Sequence, residues 1–69
     1  NAIALANAKV RIANSNIAGG SKNDIVFNYA DKVAYKNPVN LTLVNTTLSN
    51  NSIYSGRPSS AQKDVLNTD

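Results

Sequence analysis

The 69-residue sequence contains no cysteine, histidine, methionine, tryptophan or glutamate. Without cysteine no disulfide can brace the fold, and without cysteine or histidine the usual structural zinc sites are excluded. A domain of this size buries only about 60 % of the surface that its unfolded chain exposes. Because both reinforcements are missing, we expect the chain to be stabilised by other protein chains, in a homo-oligomer or hetero-assembly, or by the rest of a longer chain.

The same absences argue against catalysis. There is no histidine to act as a base near neutral pH, no cysteine nucleophile and no glutamate for a carboxylate pair. The acidic residues are four scattered aspartates, at positions 24, 31, 64 and 69. We therefore expect a non-enzymatic chain with no cofactor and no bound metal.

The charge pattern does not favour nucleic acid as a partner. Seven lysines and arginines against four acidic residues give a net charge of +3, but the basic residues are spread along the chain. Nucleic-acid-binding arms concentrate such charge. Aromatic residues interleave with Lys32 and Lys36, which would suit base stacking. A small basic nucleic-acid-binding β-barrel is thus the least favoured alternative.

The polarity of the chain comes mainly from neutral side chains. The sequence is 42 % hydrophobic and only 16 % charged, whereas soluble domains average about 25 % charged residues. Twelve asparagines and many serines and threonines supply the difference. This composition is typical of β-rich proteins of cell surfaces, virions and secreted filaments, so we expect an extracellular, cell-surface or virion location. No stretch approaches the roughly 20 apolar residues that span a bilayer.

One pattern recurs: apolar, any, apolar, any, Asn. Alternation with a period of two places the two apolar residues on one face of a strand. The asparagine then stands at the strand end, where its amide can hydrogen-bond the backbone and its φ can be positive. Amides of stacked strands can also bond one another. The pattern predicts burial of Ile3, Leu5, Val10, Ile12, Leu41 and Leu43, and structural turns at Asn7, Asn14 and Asn45.

Segments Val10–Gly20 and Val39–Gly56 carry this pattern and resemble the β-solenoid repeats of filamentous-haemagglutinin-like exoproteins and autotransporter passenger domains. The resemblance implies a secreted, right-handed parallel β-helix with an adhesive or scaffolding role. Spacing between copies of the pattern is uneven, and regular repeats have a constant period. A small, twisted antiparallel sheet is therefore the alternative. Either way the prediction is a mainly β fold of short strands, β-solenoid-like or a small twisted sheet.

Two segments leave their local structure open. Residues 2–18 fit strands, but Ile3, Val10 and Ile17 also fall on a helical stripe rich in alanine. Ser59 and Gln62 have capping-box spacing, so residues 59–69 are predicted to be a short C-terminal helix, over about 60–67, or a tail that follows a β-rich body at 1–58. Further short strands are predicted at 25–29, 33–35 and 39–43 and from Leu48 and Ile53, with a loop at 18–24.

These observations favour a non-catalytic structural or adhesive β-rich segment of an extracellular filament or surface assembly. The alternative from another class is a small structural polypeptide of a virus capsid. Glycosylation sequons begin at Asn40, Asn45 and Asn50, although a chain so rich in Asn, Ser and Thr produces such triplets by chance.

Overall fold

The computed structural model describes residues 1–28, 36–58 and 61–69. In these ranges the chain is mainly β, which confirms the predicted fold class. These ranges contain no helical segment with the length and hydropathy of a membrane span. The described strands, in chain order, are β1 (Ile3–Leu5), β2 (Lys9–Ala13), β3 (Asn16–Ile17), β4 (Ile25–Phe27), β5 (Asn40–Val44), β6 (Thr47–Leu48), β7 (Ile53–Ser55) and β8 (Val65–Thr68).

The strands form three small sheets in which each strand lies beside the one three places earlier in the chain. The strand orders are β1-β4-β7, β2-β5-β8 and β3-β6. All of these pairs are parallel, so the antiparallel alternative is wrong. Parallel neighbours need a long connection between them, and here the other two strands and the turns supply it. We call β1–β3 the first pass, β4–β6 the second pass and β7–β8 the third pass.

Register brings apolar residues of successive passes above one another. Val10, Leu41 and Leu66 occupy one position of the second sheet, and Ile12 and Leu43 occupy another. The first sheet stacks Ile3, Ile25 and Ile53 in the same way. The buried core consists of Ile17, Ile25, Phe27, Val39, Leu41 and Leu43.

Residues 2–18 form strands and not the alternative helix. β1 and β2 place Leu5 and Ile12 against the core, whereas a helix would have directed both away from its apolar stripe. Pairing with β4 and β5 therefore decides between two local patterns that the sequence fits about equally.

The C-terminal helix predicted over residues 60–67 is wrong where the structure describes it, because Val65–Thr68 forms β8. Its backbone continues the second sheet beside β5. An isolated helix of this length would be marginal in water, whereas the edge of β5 offers a row of hydrogen-bonding groups. The strands predicted at 25–29, at 39–43 and from Ile53 are confirmed to within two residues in the described ranges. Leu48 ends β6 instead of beginning a strand, and residues 29 and 33–35 lie outside the described ranges.

Candidate functional site

The asparagines that end strands adopt the left-handed backbone conformation. The φ angles are 51° at Asn7, 53° at Asn14 and 47° at Asn45. Asn51, which precedes β7, has a φ of 52°. Asparagine tolerates this region better than other residues with a Cβ, so these positions turn the chain from one sheet to the next without glycine.

Two of these turns are joined by their side chains. Nδ2 of Asn45 donates a hydrogen bond of 2.8 Å to Oδ1 of Asn14. The pair continues the second sheet, because the backbone N–H of Asn14 donates to the carbonyl of Val44. The first and second passes therefore share one rung of the amide ladder that the sequence pattern favours.

Asp24 is the centre of a second, fully buried polar site, which sequence analysis did not single out. Its side chain has no exposed surface. Oδ1 accepts hydrogen bonds from the Gly19 amide at 2.7 Å and the Ser49 hydroxyl at 3.3 Å, and Oδ2 accepts one from the Asn50 amide at 2.8 Å. The carboxylate thus joins the turn that enters the second pass to the turn that enters the third. We call this set of four residues the Asp24 site.

Asn50 reinforces the same connection from the opposite direction. Its Nδ2 donates to the carbonyls of Gly20, at 2.8 Å, and Lys22, at 2.9 Å. The backbone amide of Asp24 in turn lies 3.1 Å from the hydroxyl of Ser52. The two turns are therefore bonded in both directions, each supplying donors and acceptors to the other.

Electrostatics favour the ionised form of Asp24. Burial raises the pKa of this carboxyl, but hydrogen bonds from three backbone amides and the Ser49 hydroxyl outweigh burial, so its pKa lies below the ordinary value. Hydrogen bonds that stabilise a carboxylate act in this direction even without a cationic partner. The negative charge is accommodated by dipoles of the two turns.

Gly19 is required by the same geometry. A Cβ at this position would overlap the carbonyl oxygen of Asn23 and lie 2.8 Å from the Cα of Asp24. Only glycine lets the backbone approach closely enough for its amide to reach the carboxylate. The sequence signal that could have revealed the site is Gly-Gly followed by Asp immediately before an apolar strand.

A third polar group lies beside β8. Asp64 forms an ion pair with Arg57, in which Nη2 and Oδ1 are 3.0 Å apart. It also accepts hydrogen bonds from the Ser55 hydroxyl at 2.9 Å and the Val39 amide at 3.0 Å. A cleft of about 330 Å³ adjoins these residues and is lined by Ser55, Arg57, Pro58, Ala61, Lys63 and Asp64.

Burial of the core-facing residues falls towards both ends of the second sheet. In the central strand β5, Leu41 has no exposed surface, whereas Leu66 at the same position of β8 is 48 % exposed. Val10, at that position of β2, is partly buried. Beyond β2 and β8 the described structure has no strand to cover the column. These outer strands are edges that the described structure leaves open.

The predicted structural residues thus separate into two groups. Leu41 and Leu43 are buried in the core, whereas Ile3, Leu5, Val10 and Ile12 pack against it and are partly buried. The difference follows strand position, since the second four lie in β1 and β2, at the sheet edges. The three predicted asparagines all lie in turns with positive φ.

Two of the glycosylation sequons begin in the turns described above, at Asn45 and Asn50. In Asn45 and Asn50, the side-chain nitrogen that would carry a glycan donates hydrogen bonds within the protein. A glycan replaces one of the two hydrogens on this nitrogen, so a glycosylated Asn50 could not keep both of its hydrogen bonds.

Chemically, the described polar groups are suited to holding turns together. The Asp24 oxygens already accept hydrogen bonds, and Asp64 is bonded to Arg57 and Ser55. Nowhere in ranges 1–28, 36–58 and 61–69 do three potential metal-ligating His, Cys, Asp or Glu residues come together. Comparison of the chain with protein-family models, curated proteins and solved structures gives no significant match.

Proposed function

We propose that this chain is a non-catalytic structural segment of an extracellular filament or surface assembly, in which neighbouring polypeptide covers its outer strands. The observation that carries the proposal is the loss of burial from Leu41 to Leu66 at one register position. Covering an apolar residue that faces the core and is half exposed removes its surface from water, which stabilises the assembly.

Open strand edges support the same reading. A row of unpaired backbone groups at a sheet edge is a template for adding another strand. β2 and β8 are such edges in the second sheet, and β1 and β7 are the edges of the first. None of these four strands contains proline, which has no N–H to donate to an added strand.

The resemblance to β-solenoid repeats of exoproteins and autotransporter passenger domains belongs to the same proposal. In such repeat proteins each unit buries its apolar face against the next, so terminal units need covering. The neutral, asparagine-rich composition supports a secreted or surface location. An adhesive role would use the outward-facing residues of the strands.

Two measurements on protein from its natural source test the proposal. Protease treatment of intact cells or particles, followed by peptide mass spectrometry, is expected to release peptides of this chain. Sedimentation of gently extracted protein is expected to show a mass well above that of the 69-residue chain. Recovery only from the cell interior, as a free monomer, would overturn the proposal. Salt-sensitive copurification of nucleic acid would favour the basic β-barrel instead.

A further inference from the structure

Resting on the proposed function, we propose that the polypeptide covering the outer strands is a second copy of this chain, stacked head to tail so that β8 of one copy pairs in parallel with β2 of the next. Both outer strands of the second sheet run in the same direction, because β2, β5 and β8 are mutually parallel. A simple translation therefore brings β2 of one copy to the open edge of β8 of another.

The first and second sheets are both ordered so that this one translation pairs their outer strands. The first pass lies at one end of every sheet, and the last strand of each sheet, β7, β8 or β6, lies at the other. Pairing β8 with β2 therefore brings β7 next to β1 of the neighbouring copy. An unrelated extended peptide would complete only one sheet, whereas a second copy completes the first and second sheets simultaneously.

Register within the chain predicts register across the junction. Lys9, Asn40 and Val65 are level with one another, as are Val10, Leu41 and Leu66. Continuing the series places Val10 of the next copy over Leu66, which is 48 % exposed. The apolar column would then run on without interruption.

The proposed junction brings one basic and one acidic side chain within reach of each other. The β2 edge carries Lys9 and Arg11, both exposed. At the other end Asp69 extends the pairing of β8, since its amide donates to the carbonyl of Leu43. In the proposed register Arg11 of the next copy is level with Asn67. Arg11 is therefore the diagonal neighbour of Asp69, at a distance of about 7–8 Å between the two positions. The long arginine side chain spans that separation.

An engineered disulfide tests the junction directly, because the chain has no cysteine of its own. In the double variant Lys9→Cys/Val65→Cys, the two positions are about 4.8 Å apart across the junction but about 9.6 Å apart within one copy, where β5 lies between them. Only the first distance is compatible with a disulfide. Mild oxidation is expected to give a ladder of covalent oligomers on non-reducing gels.

Two matched controls complete this experiment. Lys9→Cys/Asn40→Cys joins neighbouring strands of one copy, so it is expected to oxidise within the monomer and to show that the chain folds in register. Val65→Cys alone is expected to give little dimer. Rapid dimerisation of that single variant would indicate that two β8 edges meet, and would overturn the head-to-tail arrangement.

A charge variant gives an independent readout. Asn67→Lys places a positive charge level with Arg11 of the next copy, and is expected to weaken self-association in sedimentation velocity by about fivefold, as for a like-charge cross-strand pair. Gln62→Lys adds the same charge at an exposed position before β8 and is expected to change self-association little. The inference is overturned if Lys9→Cys/Val65→Cys gives no more covalent oligomer than Val65→Cys alone and the unaltered chain is a monomer at all concentrations. If protein from its natural source is then still found assembled with other polypeptide, the proposed function stands and only the head-to-tail stacking of copies is wrong.

Discussion

β5 and β8 lie side by side and parallel in one sheet, but they differ in the number of neighbouring strands and in burial. β5 has a neighbour on each side, and its Leu41 and Leu43 are buried. β8 has one neighbour, and all four of its residues are exposed. Within the second sheet, therefore, apolar residues are fully buried only in the strand that has neighbours on both sides.

The largest expected effect comes from placing a carboxylate at matched positions of the two strands. Leu43→Asp buries an unpaired charge and is expected to cost more than about 4 kcal/mol, abolishing the cooperative thermal melt. Thr68→Asp, at the same register position of β8, is expected to cost about 0.5 kcal/mol in the isolated chain. Circular dichroism melts of both variants measure the difference. An unchanged melt for Leu43→Asp would show that β5 is not the centre of the core.

A smaller effect is expected from matched glycines in the turns. Gly19→Ala forces the turn that leads into β4 away from Asp24, and is expected to cost about 3 kcal/mol. At Gly56, after β7, a Cβ would meet only the Tyr54 ring at 3.7 Å, so Gly56→Ala is expected to change the free energy of unfolding little. Urea denaturation of the two variants provides the comparison. Equal costs would mean that the Asp24 site does not depend on close approach at Gly19.

Acid is expected to weaken the Asp24 site. Since its folded pKa lies below the ordinary value, the carboxylate stabilises the fold above the unfolded pKa of about 3.9. That contribution is lost as the pH falls through the folded pKa. Asp24→Asn is expected to lower stability at neutral pH and to flatten this part of the stability profile. Parallel profiles for the two proteins, from melts between neutral and strongly acidic pH, would contradict the assignment.

The smallest expected effect separates the backbone and side-chain roles of Asn45. Asn45→Gly keeps the positive φ but removes the bond to Asn14, and is expected to cost about 1 kcal/mol. Asn45→Ala adds backbone strain of roughly 1 kcal/mol more. Chemical denaturation measures both. If the glycine variant is as stable as the unaltered chain, the rung between the first two passes contributes nothing measurable.

Much of the local structure could be predicted from the sequence. Alternation around Leu41 and Leu43 identified the central strand, and asparagine at strand ends identified the turns, because both signals depend on residues close together in the chain. The Asp24 site could not be found in this way. Its carboxylate is bonded to Ser49 and Asn50, 25 and 26 residues away, and no spacing in the sequence reports which turns come together.

Local signals in the sequence predict short strands that end at asparagine turns, because side-chain periodicity and the tolerance of asparagine for positive φ act within a few residues. For residues 2–18 those signals fit a helix as well, and pairing with β4 and β5 settled the choice. Three features arise from tertiary contacts instead: β1 pairs with β4, Asp24 is buried, and residues 65–68 form a strand. Each of these depends on contacts between segments more than 20 residues apart. The free energy of those contacts comes from packing and hydrogen bonds between passes, and it exceeds the weak local preference of any one segment.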